Sequence, residues 1–140
     1  MSIVIDASVA LKWVFEEPGT EAALALRGEQ LIAPAIWLAE AANALWRHVR
    51  LGETTAAEAL ARMDELAKAP VATLSIEPHV ARALRLGTEI SHPVYDCFYL
   101  ALAEQRGTRL VTDDRRLLAR LAVTPWKRLV ARLGRAAARG

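Results

Sequence analysis

Short, dense apolar runs alternate along this chain with longer stretches in which apolar residues recur at helical spacing. Ile3-Val4-Ile5 is the first β-branched run and stops at Asp6. Ser8 is then placed to cap a helix through Ala10, Leu11, Trp13 and Val14, ended by Glu17-Pro18-Gly19. Thr20 to Arg27 predicts a second helix closed by Gly28, and Leu31-Ile32 a short strand before Pro34. A long helix follows from about Ala35 to Arg50. Thr54 or Thr55 caps the next one, with Glu58 set as a capping box requires, and Pro70 breaks it after Ala69. Val71 to Ile76 reads as a strand, and Glu77-Pro78 opens a helix. After Gly87 and His92-Pro93, a helix runs from Val94 to Gly107. Arg109-Leu110-Val111-Thr112 is a further strand, followed by a short helix from Arg115 to Leu121. Beyond Pro125 the pattern predicts a basic helix, with 136–140 a frayed tail.

Strands alternating with helices imply an α/β fold: a mainly parallel sheet of about four to five strands, covered on both faces and joined by right-handed crossovers. The length of 140 residues fits a single domain, 1–140, and 54% hydrophobic residues are enough for a core. The opening lacks a basic n-region, and no apolar stretch approaches the roughly 20 residues that cross a bilayer. The expectation is a soluble, cytoplasmic protein with no membrane partner. One cysteine, Cys97, excludes an internal disulfide framework. From Arg106 onward ten basic residues face only two acidic ones, Asp113 and Asp114. Such a segment holds phosphates or simply solvates helix faces, and charge alone does not choose.

The acids are more informative. Of five aspartates, only Asp64 falls mid-helix as ordinary surface charge. Asp6 ends the first strand, Asp113 and Asp114 follow a later one, and Asp96 sits in the first turn of an apolar helix. Glu40 interrupts the run Ile36-Trp37-Leu38-Ala39-Glu40-Ala41-Ala42. Each has a bland explanation: a turn or cap for Asp6, a dipole partner for Asp96, helix caps for Asp113 and Asp114, a salt bridge to Arg47 for Glu40. Ligands of parallel sheets gather beyond the carboxyl ends of the strands. Acids meeting there repel one another unless a divalent cation joins them. All-oxygen ligands suit Mg²⁺ or Mn²⁺ and argue against zinc; His48, His79 and His92 show no ligand spacing and read as surface or turn residues. Such a site activates water against a phosphodiester without a protein nucleophile.

Four segments, in order, resemble the motifs of the PIN-domain nucleases. Ile3-Val4-Ile5-Asp6-Ala7-Ser8 is similar to the opening motif, and Glu40 with Asn43 three residues on resembles the second. Tyr95-Asp96-Cys97-Phe98-Tyr99 opens the third, and Leu110-Val111-Thr112-Asp113-Asp114 resembles the fourth, with Asp114 in the functional place and Asp113 in the variable one. The length resembles that of VapC toxins. The resemblance implies a PIN-like three-layer α/β/α fold, Mg²⁺- or Mn²⁺-dependent endoribonuclease activity on RNA, a homodimer, and a cognate antitoxin that covers the site. It implies metal and catalytic roles for Asp6, Glu40, Asp96 and Asp114, with Asp113 an open second candidate beside Asp114. Ser8, Thr112 and Asn43 are expected to support those carboxylates, and Arg47 or Arg115 to hold substrate phosphate. Trp13, Trp37 and Trp46 read as core or dimer-face residues, Trp126 as a candidate RNA contact. The rivals are a receiver- or phosphatase-like phosphoryl-transfer domain, a nuclease acting on another nucleic acid, and a non-catalytic protein-binding module.

Overall fold

A computed structural model describes residues 2–134; the tail expected to fray, 136–140, lies outside them. Five strands form one parallel sheet in the order β3-β2-β1-β4-β5: β1 (Ser2–Ile5), β2 (Gln30–Pro34), β3 (Val71–Leu74), β4 (Leu110–Thr112) and β5 (Val130–Arg132). Neighbouring residues of a strand point to opposite faces, and both Val4 and Ile5 are fully buried, as are Leu110, Val111 and Thr112. Both faces of the sheet centre are therefore covered, as expected of the α/β class.

Chain order explains where a ligand can go. From β1 the chain moves outward to β2 and β3, then returns to the other side of β1 for β4 and β5. The reversal leaves a crevice between β1 and β4 at their carboxyl ends. Those ends carry Asp6 and the pair Asp113-Asp114.

Helices supply the remaining walls. A single turn, α1 (Ala7–Ala10), leads into a 3₁₀ turn (Leu11–Trp13), then α2 (Thr20–Leu26). The long α3 (Ile36–Arg50) and α4 (Ala56–Ala67) pair between β2 and β3, α4 starting at Thr55, whose hydroxyl accepts from Glu58 N. A 3₁₀ turn (Glu77–His79) precedes α5 (Val80–Ile90), which packs on α6 (Val94–Arg106). Seven successive residues of α6, Cys97 to Ala103, are buried because it crosses β1, β2 and β4 at the sheet centre. Gly87 permits the close approach: a Cβ there would stand 3.0 Å from the His92 carbonyl oxygen and 3.1 Å from Val94. After β4 come α7 (Arg115–Ala122) and a 3₁₀ turn (Pro125–Leu129). Among the described residues no helix is long and apolar enough to cross a membrane.

Three expectations need correction. The tail after Pro125 is not a basic helix: it makes the 3₁₀ turn and then β5, which pairs Leu110, Val111 and Thr112 with Val130, Ala131 and Arg132. Unpaired backbone on β4 outweighs the helix preference of so short a segment. Ser8 does not cap the first helix, since Asp6 does so by accepting from Val9 N. His79 is buried rather than a surface residue. Of the tryptophans, Trp37 is in the core, bonded to Thr73; Trp13 donates to the Ala23 carbonyl; Trp126 packs against the core; Trp46 stays 54% exposed.

Candidate active site

Asp6 is the buried pivot of the crevice. Its Oδ1 accepts from Ser8 Oγ at 2.6 Å and from Val9 N, while Oδ2 accepts from Thr112 Oγ1. Both hydroxyls also act as acceptors, Ser8 Oγ from Asp113 N at 3.1 Å and Thr112 Oγ1 from Asp114 N at 3.0 Å. Two hydroxyls thus tie the end of β1 to the end of β4, each donating to one acid and receiving the amide of another. Burial pushes the Asp6 carboxyl up to about 6, against the lowering pull of these hydrogen bonds and with some help from the charge of Asp114.

The adjacent aspartates after β4 diverge. Asp114 caps α7, its Oδ1 accepting from Arg116 N at 3.0 Å and Leu117 N at 3.1 Å, as a helix start requires. Asp113 turns the other way, to Lys12 Nζ at 3.1 Å. Lys12 is buried between Asp113, Glu17 Oε1 at 3.1 Å and the Pro18 carbonyl at 2.8 Å. Burial works against its charge, but the two carboxylates outweigh it and hold the ammonium above the ordinary lysine range. The charge of Asp113 is thereby matched inside the chain, whereas that of Asp114 faces the other acids.

Two helices bring the remaining carboxylates. Glu40 projects from α3, half-buried, and accepts from the Tyr99 hydroxyl of α6 rather than from Arg47. Burial raises its carboxyl to about 7, with Asp96, Asp6 and Asp114 all adding to the rise. Asp96, in the first turn of α6, takes His92 Nε2 at 2.6 Å on Oδ2. Tyr99 is three residues further along that helix; its hydroxyl is held far above the usual range by burial and by Glu40. Glu40 therefore feels the charges of Asp6, Asp96 and Asp114, and Asp6 that of Asp114. Asn43 is exposed and makes no side-chain hydrogen bond among the described residues. Arg47 lines a cavity of about 410 Å³ beside Lys12, Glu17 and Asp113, and Arg115 is exposed on α7.

Three participants were not expected from the sequence: Lys12 and His92, which lie outside the motifs, and Tyr99, which lies within the third. Lys12 carried the same signal as Glu40, a charge within an apolar helical run. Tyr99 was signalled only by lying one turn beyond Asp96. His92 precedes a proline, which fits a turn as well as a site.

The donors are all oxygens of mutually repelling acids, which fits a hard divalent cation better than zinc. Among the described residues no three carboxylates, imidazoles or thiols are drawn close enough to enclose an ion by themselves. Magnesium does not need that, since it commonly uses one or two carboxylates with waters and substrate phosphate.

Comparison with known proteins identifies the fold and the family. The chain is 35% identical to the ribonuclease VapC3 of Pyrobaculum aerophilum, over 89% of this chain and 100% of that one. Its fold matches the crystal structure of PAE2754 from Pyrobaculum aerophilum with a TM-score of 0.74 and 27% identity, over 99% of this chain and 88% of the other. A chain of a toxin–antitoxin complex from Klebsiella pneumoniae shares the fold at a TM-score of 0.62 and 18% identity, over 92% of this chain and 95% of that one. With the PIN-domain model matching residues 3–123, the chain belongs to the PIN-domain family.

Proposed function

We propose that the chain is a metal-dependent endoribonuclease and the toxin half of a type II toxin–antitoxin pair. The observation that carries this reading is the convergence of Asp6, Glu40, Asp96 and Asp114 where the sheet reverses, with the charges of three of them acting on the fourth. Kinship with a protein named a ribonuclease, and a shared fold with a chain from a toxin–antitoxin complex, support it.

Asp6, Asp96 and Asp114 would hold Mg²⁺ or Mn²⁺, directly or through water. Held by these carboxylates, such an ion would supply the acidity that turns a bound water into a nucleophile and positive charge beside the phosphate. Glu40 joins as a ligand or orients that water, its carboxyl steered by Tyr99. Ser8 and Thr112 keep Asp6 aimed and set the backbone from which Asp114 departs. Lys12 absorbs the charge of Asp113, leaving Asp114 as the ligand of the pair. The paired helices α3 and α4 offer a homodimer face, where Trp46 and Leu60 are 54% and 73% exposed. The antitoxin would cover the acidic crevice, and the setting is cytoplasmic.

Cleavage of a mixed RNA pool by antitoxin-free protein tests the reading, with Mg²⁺ or Mn²⁺, EDTA, a DNA substrate and Asp96→Asn alongside. Discrete metal-dependent RNA products, lost in EDTA and in Asp96→Asn, are expected. Folded protein that leaves diverse RNA intact with both metals would overturn it; cleavage of DNA alone would move the substrate.

A further inference from the structure

A groove of about 600 Å³ runs from the acidic crevice along α7, toward the turn that carries His92. Asp96 and Asp114 line its inner end, Arg116, Ala119 and Arg120 its wall. Arg116 and Arg120 stand one helical turn apart on the same face, roughly 6 Å along the axis, with small Ala119 leaving the space between them open. Both are exposed, and neither forms an ion pair among the described residues. Arg62, Lys68 and Arg82 are paired with Glu65, Asp64 and Glu104, but Arg47, Arg115 and Arg128 form no ion pair among the described residues either, so what sets Arg116 and Arg120 apart is their place beside the acids. Two unpaired guanidiniums beside a set of converging acids fit a ligand whose negative charge continues past the reacting centre.

The geometry points to this groove as the seat of the RNA backbone next to the scissile phosphate, its neighbouring phosphates held by Arg116 and Arg120. Guanidinium forks bind phosphate oxygens in pairs, and a one-turn spacing matches a strand drawn out along the helix. The assignment rests on the nuclease reading and deepens it. It also moves the expected phosphate contacts: Arg115 does not line this groove, and Arg47 lines a separate cavity that contains none of Asp6, Glu40, Asp96 and Asp114.

Steady-state cleavage of one defined RNA, as a function of salt, tests it with the wild type, Arg116→Ala/Arg120→Ala and Arg116→Lys/Arg120→Lys. The alanine pair should raise KM about tenfold or more and keep kcat within about threefold. Its salt dependence of log kcat/KM should be shallower by about 1.4, the value for two lost single-strand phosphate contacts. The lysine pair should restore the salt slope and only part of the affinity. An alanine pair with wild-type KM and salt slope, or with a loss confined to kcat, would overturn the assignment. Failure of the wild type to cut RNA would instead strike the nuclease reading, so the two failures are distinguishable.

Discussion

The acidic crevice has two unlike halves. On the strand side, both oxygens of Asp6 are occupied, its two hydroxyl partners are themselves bonded, and Asp113 is neutralised by buried Lys12. On the helix side, Glu40 and Asp96 each have one protein partner, Tyr99 and His92, and both remain partly open. Strand ends are set by the sheet register, so acids there can be locked in place. Helices bring acids from α3 and α6, whose side chains retain freedom to close on a ligand. The strand half is therefore the fixed part of the site and the helix half the adaptable one, while both carry its electrostatic cost, Asp6 being raised to about 6 and Glu40 to about 7.

The largest break in this comparison should come from pH. Asp6 at about 6 and Glu40 at about 7 both titrate above their ordinary range, so between pH 4 and 7 the unfolded chain binds fewer protons than the folded one. Stability of the metal-free protein should therefore fall as pH rises through that window and level off above it. The Asp6 share is about 3 kcal/mol. Asp6→Asn should abolish cleavage yet raise the metal-free melting temperature at pH 8, by about half as much at pH 5 and hardly at all near pH 3; Mg²⁺ should raise that of the wild type at pH 8. A large destabilisation of metal-free Asp6→Asn would make Asp6 a structural residue instead.

Lys12→Met attacks the strand half without touching an acid of the crevice. It leaves Asp113 and Glu17 facing each other without their shared cation, at a cost of about 2 kcal/mol once their partial exposure is allowed for. Urea unfolding at pH 7.5 measures it, and an unchanged midpoint would show the ion pair to be dispensable. The smallest effect belongs to the helix half. Tyr99→Phe removes the one hydroxyl that holds Glu40, and should cost about 1 kcal/mol in the same assay. A loss as large as that of Lys12→Met would erase the distinction between the halves.

Much of this was legible in the chain because the signals were local. A β-branched run ending in Asp6, or Leu110-Val111-Thr112 running into two acids, announces a strand end with a charge on it. The pairing partners were not local: Tyr99 and Glu40 are 59 residues apart, and Tyr99 is indistinguishable from its core neighbours in an apolar run. Lys12 lay in plain sight, but only folding brings Asp113 to it. β5 escaped because three residues of strand do not establish a period, and because β4, not its own composition, makes it a strand.

The bond from Thr112 to Asp6 spans 106 positions of the chain. A growing polypeptide exposes Asp6 almost at once, but cannot furnish its second hydroxyl until four strands have emerged. Closing a contact of that span costs more chain entropy than a local one, and the same pairing of β1 with β4 that forms the sheet centre brings Thr112 to Asp6. An unfinished or truncated chain therefore carries the first acid without the means to aim it. The proposed cation site is complete only once the chain has been made as far as Asp114.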